Sequence, residues 1–330
     1  MTSPQTFTHR HTVWPSLGGH GTGLVARIGD WTWQAVARDT GSDVLKAYTE
    51  DGRPAYLSFH YYRVRGSADF HLRTPTFGDQ LTVGTQVHRS GSQSMLTLHR
   101  ILLDPTGDAA ATIDPDTFWD AVGPGELRAE QINRWISHTG TSNENLEGSA
   151  PAGFRVDRLA PTPEQAPSRR RVLIARRSGS FRPEGLTQVG PTLTLDYEVD
   201  PARDLNAVGL LYFAAYFGII DWAVGRAWSA WGRDVPTFLN RVIEDIELLY
   251  EGNADPAARL QVDVTRWQGE ENVEYIDVTL RQPGRVVAVS TQRLLTAPPG
   301  AAAAPPDPGA TSPVQDPPPV AAGNPSPATS

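Results

Sequence analysis

The stretch Leu24-Val25-Ala26-Arg27-Ile28-Gly29-Asp30-Trp31-Thr32-Trp33-Gln34-Ala35-Val36 is apolar at helical spacing and follows a glycine-rich turn, Gly18-Gly19-His20-Gly21-Thr22-Gly23. It predicts a helix with one face in a core. A second stretch, Ala207 to Trp222, follows Asp204-Leu205-Asn206 and is apolar nearly all round, the pattern of a helix with no solvent face. Each predicted helix closes on an Asp-Trp pair, Asp30-Trp31 and Asp221-Trp222.

The segments after the two helices also correspond. Tyr56-Leu57-Ser58-Phe59-His60-Tyr61-Tyr62-Arg63-Val64-Arg65 reads as a strand, and Val242 to Tyr250 takes the same place in the second half. Its Glu and Leu content would suit a helix equally, but its position in the repeat predicts a strand. Turns follow at Gly78-Asp79 and at Asn253-Ala254-Asp255. Long hairpins come next, Leu81–Val87 with Ser94–Ile101, and Leu260–Trp267 with Val273–Leu280. A buried helix followed by an antiparallel sheet that wraps it, twice in one chain, predicts an α+β double hot-dog. The expected units are 13–160 and 172–296, joined by a proline- and arginine-rich linker at 161–171. Residues 1–12 read as a flexible N-terminus, and 297–330, almost wholly Ala, Pro, Gly, Ser and Thr, as disordered. Two unrelated α+β units with no shared site would give a similar pattern, but not the matched Asp-Trp pairs.

Composition removes several classes of function. The absence of cysteine excludes thiolate nucleophiles, disulfides and iron–sulfur clusters. A formal net charge of −8 argues against a nucleic-acid partner, which needs a concentrated basic face. The most apolar stretch, Ala207 to Ile220, is too short to span a bilayer, and no secretory signal precedes the first unit; a cytoplasmic protein with no membrane partner is expected. No metal site is expected, because the histidines lack ligand spacing apart from His9 and His11.

Strict alternation along the first strand would place Leu57, Phe59 and Tyr61 in the core and Ser58, His60 and Tyr62 together on the other face. A hydroxyl, an imidazole and a phenol in a row are candidate chemistry, and an exposed polar ladder is the plainer reading. His20-Gly21-Thr22 and Asn206 fall where helix N-termini are expected, so amide donors there could hold a thioester carbonyl oxygen; simple capping is the alternative. Asp30 and Asp221 are candidate acid–base groups. Arg63, Arg65 and Arg73, with Arg169, Arg170 and Arg171, could receive the phosphates of coenzyme A or an acidic carrier protein, or simply be solvated.

Several segments together resemble the leinamycin-pathway bifunctional acyltransferase/decarboxylase family. They are Ile28–Trp33, Tyr56–Gly66, Thr76–Asp79, Ser94–Ile101, Asn133–Ser137, Ser142–Leu146 and Asn206–Phe213. That resemblance implies a polyketide-biosynthesis enzyme that takes methylmalonyl-CoA, acylates its own tyrosine, decarboxylates, and passes propionyl to the phosphopantetheine thiol of an acyl carrier protein. It implies no bound cofactor and leaves a homodimer open. The matching tyrosine lies in the Tyr61-Tyr62 pair. Tyr62 is preferred on the alternation, with His60 as its base, Asn206 as a carbonyl donor, and Tyr61, Ser58, His20, Gly21, Thr22, Arg63 and Arg65 around the substrate. A tyrosyl ester suits this exchange because a phenol pKa near 10 lies close to the roughly 8.5 of a thiol. A thioesterase or dehydratase of the same fold, and a non-catalytic thioester-binding protein, are the competing expectations.

Overall fold

The computed structural model describes residues 5–18, 21–104, 106–107, 110–270 and 272–296. The first half runs β1 (Phe7–Thr12), α1 (Gly21–Thr40), β2 (Ala47–Tyr48), β3 (Pro54–Arg65), β4 (Gln80–Arg89), β5 (Ser94–Leu103), β6 (Glu126–His138), β7 (Leu146–Gly148), β8 (Ala160–Pro161) and α2 (Ser168–Ser178). The second runs β9 (Thr187–Gln188), β10 (Leu193–Glu198), α3 (Phe213–Ala230), α4 (Val235–Leu239), β11 (Val242–Tyr250), β12 (Arg259–Gln268), β13 (Val273–Gln282) and β14 (Arg285–Leu295).

The main strands form one antiparallel sheet in the order β1-β4-β5-β6-β3-β11-β14-β13-β12-β10. Read outward from the β3–β11 seam, each half has the same order: its second main strand, then its fifth, fourth, third and first. The chain is therefore a double hot-dog. The seam pairs Arg65 with Asp245 through Tyr61 with Leu249.

On the inner side of the sheet α1 packs against α3. Leu24, Ile28 and Trp31, spaced four and three apart, carry α1 into a core shared with Phe217, Ile220 and Val224 of α3 and with inner strand residues of both halves. The outer side is also covered. Val172 and Ala175 of α2, with Phe181, bury Tyr61, Leu96, Leu98, Ile132, Leu249 and Val289 there. Among the described residues no helix is long and apolar enough to cross a membrane.

Four expectations change. Residues 7–12 form edge strand β1, pairing Phe7 with Thr85 through Thr12 with Gln80, so the N-terminal segment is ordered from Phe7. The expected linker at 161–171 contains the start of α2, whose small and apolar face the sheet buries. The second helix begins at Phe213, six residues later than Ala207, because the Asn206 side chain accepts from the amides of Val208 and Leu210 and holds a loop there. Asp30 and Asp221 consequently lie within α1 and α3 rather than at their ends. The tail at 297–330 lies outside the described residues.

Candidate active site

The Tyr61-Tyr62 pair owes its orientation to a β-bulge. In β3–β6 pairing Phe59 faces Asn133 but Tyr61 faces Ile132, so two steps on β3 match one on β6 and His60 is the extra residue. One added residue inverts the parity of everything beyond it. Tyr62 and Val64 therefore join Phe59 on the inner face, and Tyr61 points outward under α2. This corrects the expected grouping of Tyr62 with Ser58 and His60 around one substrate pocket, because Tyr62 is sealed in the core and does not line the cleft that they line.

Tyr62 is completely buried between the two central helices, its ring against Phe59, Phe213 and Phe217 at centroid distances of 5.6, 6.3 and 5.3 Å. Its hydroxyl donates to the Val25 carbonyl at 3.0 Å. Burial holds the phenol pKa well above its usual value, while the neighbouring Gln131 amide works the other way.

A longer chain of polar groups lies beside Tyr62. Gln131 stands opposite Tyr62 in the β3–β6 pairing, and its Nε2 is buried with no hydrogen-bond partner among the described residues. The one proton of Thr32 Oγ1 is directed to the Gln131 Oε1 and Ile28 carbonyl acceptors, so the hydroxyl accepts from Nε2–H of His99, 2.7 Å away. His99 Nδ1 is left to accept from Thr85 Oγ1 at 2.9 Å. One tautomer of His99 fits both hydroxyls, while Gln131 Nε2 is left without a partner among the described residues. The imidazole is neutral, since burial pulls its pKa down to about 3. The result is a buried polar series, Thr85–His99–Thr32–Gln131, that ends beside Tyr62.

The nearest opening is a cavity of about 170 Å³ where β3 parts from β11. Phe59 and Phe213 form part of its wall, with Tyr56, Ser58, His60, Tyr250 and Glu251. These two rings stack at 4.1 Å, so Tyr62 lies one side-chain layer behind the wall. Phe213 lies against Gly29 of α1, where an added Cβ would come within 2.2 Å of its Cζ.

The other predicted residues scatter. Ser58 and His60 line the cleft, but His60 contacts Arg176 at 3.2 Å rather than Tyr62, and burial and Arg176 lower its pKa. Asn206 donates Nδ2 to Tyr56 Oη at 3.1 Å, at the boundary with a second cleft lined by Trp33, Leu45, Tyr48 and Val208. It caps no helix. Gly21 opens α1, and Thr22 lines a separate cleft with Tyr212 and Trp222. His20 lies outside the described residues.

Tyr61 donates to Glu247 at 2.7 Å, with Glu130 at 3.2 Å. Arg63 grips Asp245 through two bonds of 3.0 and 2.6 Å, and Arg171 pairs with Glu247. Arg65 is occupied by the carbonyls of Phe118, Trp119 and Asp120, Arg73 by that of Leu239, and Arg169 by that of Ser90. Of the six arginines proposed for phosphates, Arg170 alone is exposed with no partner among the described residues. Asp30 pairs with Arg27 at 3.3 Å and Asp221 with Arg241 at 2.7 Å. No cluster of three metal-ligating side chains occurs among the described residues.

The sequence reading missed Gln131, Thr32, His99 and Thr85. Their signal was faint: Thr97 and His99 alternate with Leu96 and Leu98, but a sheet covered on both faces buries both parities, so alternation cannot say which face is the site.

These features define a hot-dog protein whose candidate centre lies between its two helices. The model of the LnmK N-terminal hot dog fold domain matches residues 8–183, and the chain belongs to that family. No curated protein matches it. Among solved structures it is similar to a putative oleoyl thioesterase from Lactobacillus plantarum, at 13% identity and TM-score 0.57, over 89% of this chain and 96% of that one. It is also similar to the 12:0-ACP thioesterase from Umbellularia californica, at 12% identity and TM-score 0.56, over 88% and 93%. Both likenesses concern the fold.

Proposed function

We propose that this protein is an acyl-thioester enzyme that accepts its acyl group on Tyr62, in the manner of the acyltransferase/decarboxylases its sequence resembles. The observation that supports the reading is the Tyr62 phenol, placed between the central helices one side-chain layer behind the seam cleft, with Gln131 opposite it on β6. A polar series of this kind costs stability in a hydrocarbon core. Chemistry at the phenol gives it a use.

In the proposed reaction the Tyr62 oxygen attacks the carbonyl of methylmalonyl-CoA, the C–S bond breaks, and the phenolic proton leaves with the thiol. Gln131 Nε2, without a partner among the described residues, would turn to donate to the charge on oxygen, an interaction worth roughly 3–4 kcal/mol for preorganised donors elsewhere. Loss of CO2 from the ester leaves an enolate, which takes up a proton to become propionyl. The phosphopantetheine thiol of a carrier protein then attacks, and Tyr62 regains a proton. The cleft at the seam is the path in, and the Phe59–Phe213 pair must part for the acyl group to reach the phenol.

Intact-protein mass spectrometry after exposure to methylmalonyl-CoA tests this. A propionyl-sized adduct is expected on the wild type and absent from Tyr62→Phe; an equal adduct on the variant removes Tyr62 from the reaction. A hydrolase is the second reading, favoured by the presence of His60 and Glu251 in the same cleft. Release of free acid without an adduct would select it.

A further inference from the structure

Helix α2 carries five arginines in eleven residues of a chain whose net charge is −8. Its inner face, Ser168, Val172 and Ala175, is buried against the sheet. Its outer stripe is Arg170, Leu173, Ile174 and Arg177, spaced as neighbours on one helix face. Leu173 is 53% and Ile174 39% exposed, and Arg170 and Arg177 are exposed with no partner among the described residues. Other cations of this helix are committed: Arg171 to Glu247, Arg169 to a carbonyl, and Arg176 to Glu251. The stripe thus joins two adjacent aliphatic side chains to two free guanidinium groups about 10 Å apart along the axis.

We propose that this face of α2 docks an acidic helical carrier protein that holds the acyl group on a flexible thiol arm. The inference rests on the acyl-thioester reading of the cleft and gives the carrier protein of that reading its docking surface. Two observations select such an occupant. Charge complementarity requires acidic residues flanking an apolar one, since carboxylates would pair with Arg170 and Arg177 while an apolar side chain covers Leu173 and Ile174. Position requires a reaching arm: Arg176, next to Arg177, contacts both His60 and Glu251, which line the cleft at the seam. A partner seated on the stripe sits at the rim of the opening that leads toward Tyr62.

The test is Arg170→Glu/Arg177→Glu, with Leu173→Asp as an independent variant, both at exposed positions where folding is little affected. Fluorescence anisotropy would follow binding of a labelled holo-acyl carrier protein from bacterial fatty-acid synthesis, and kcat/KM would be measured with methylmalonyl-CoA as donor and either that carrier or free pantetheine as acceptor. Carrier binding and carrier-dependent kcat/KM should fall at least tenfold in each variant, and more salt should weaken the wild-type complex. The pantetheine reaction should stay within twofold. Unchanged carrier binding in both variants overturns the docking surface, and so does an equal loss with pantetheine, which would make α2 a support of the site. Should the wild type bind the carrier through this stripe yet turn over no thioester, the functional reading fails and the surface stands.

Discussion

Gly29→Ala sets two opposed effects against each other. Replacing a helix-interior glycine by alanine ordinarily stabilises by about 1 kcal/mol. Here the new methyl would lie 2.2 Å from Cζ and 2.8 Å from Cε2 of Phe213, so the ring must retreat by about 1.5 Å to restore ordinary contact. The ring has little room, being stacked on Phe59 at 4.1 Å and set edge-on to Tyr212 at 4.6 Å. Overpacking of this kind costs about 1–3 kcal/mol, so the net expectation is a loss of about 0–2 kcal/mol where propensity alone predicts a gain. Displacing Phe213 also thins the layer over Tyr62, so the acyl adduct should form faster in the variant. Urea denaturation and time-resolved mass spectrometry measure the two effects. A variant more stable by about 1 kcal/mol, roughly 2 °C in Tm for a chain this long, with unchanged adduct kinetics would refute the claim that Phe213 is wedged against α1 and screens the phenol.

Thr32→Val keeps the shape but removes the hydroxyl that His99 and Gln131 share; kcat should fall at least tenfold with KM little changed, and Thr32→Ser should restore it. The same change should cost about 1–3 kcal/mol in urea, as two buried polar groups lose their partner. Tyr61→Phe should cost a similar amount, about 1–3 kcal/mol, because Glu247 loses its 2.7 Å donor, but the adduct should persist, which separates the two adjacent tyrosines. Acid should destabilise the fold through His99, whose folded pKa is pulled down to about 3, and His71, pulled down to about 4. Their contribution is complete above the unfolded pKa near 6.5 and is lost as pH falls toward those values, at up to about 1.4 kcal/mol per pH unit for each histidine. Urea midpoints compared at pH 7 and pH 5 should show the loss, and His99→Gln should lessen it.

The double fold was readable because both central helices announce themselves by burial and both hairpins by alternation, and because the halves repeat in order. Edge strands were harder: Phe7–Thr12 carries His9, Arg10 and His11, polar for a strand, and acquires its conformation from pairing with β4 rather than from its own pattern. The onset of α3 was misplaced because Ala207 to Leu211 is as apolar as the helix, and it is side-chain bonds from Asn206, Asn253 and Asn143 that hold it as a loop. The site depended on a single residue. A bulge at His60 leaves no mark in the alternation of Leu57, Phe59 and Tyr61, yet it decides which tyrosine faces the helices. The arginines were misjudged for a related reason, since their partners, Asp245, Glu247 and the carbonyls of 118–120, are distant in sequence.

The two halves also explain why one chain would hold one such centre. Across the first half, Tyr62, Gln131 and Thr97 lie side by side on β3, β6 and β5, with His99 two residues further along. The equivalent row on β11, β14 and β13 is Ile246, Gln292 and Ile276, with Val278 in the place of His99. A glutamine therefore stands at the same node of both sheets, buried in each case. Among the described residues, in the first half its oxygen accepts from Thr32 and a phenol stands opposite it, its nitrogen being without a partner; in the second neither amide atom has a partner. Aliphatic neighbours give Gln292 nothing to orient and nothing to polarise, so the second half retains the geometry of the node without its chemistry. In the proposed reaction the second unit therefore serves as a wall, α3 supplying Phe213 and Phe217 to enclose Tyr62, while the group proposed to react belongs to the first unit.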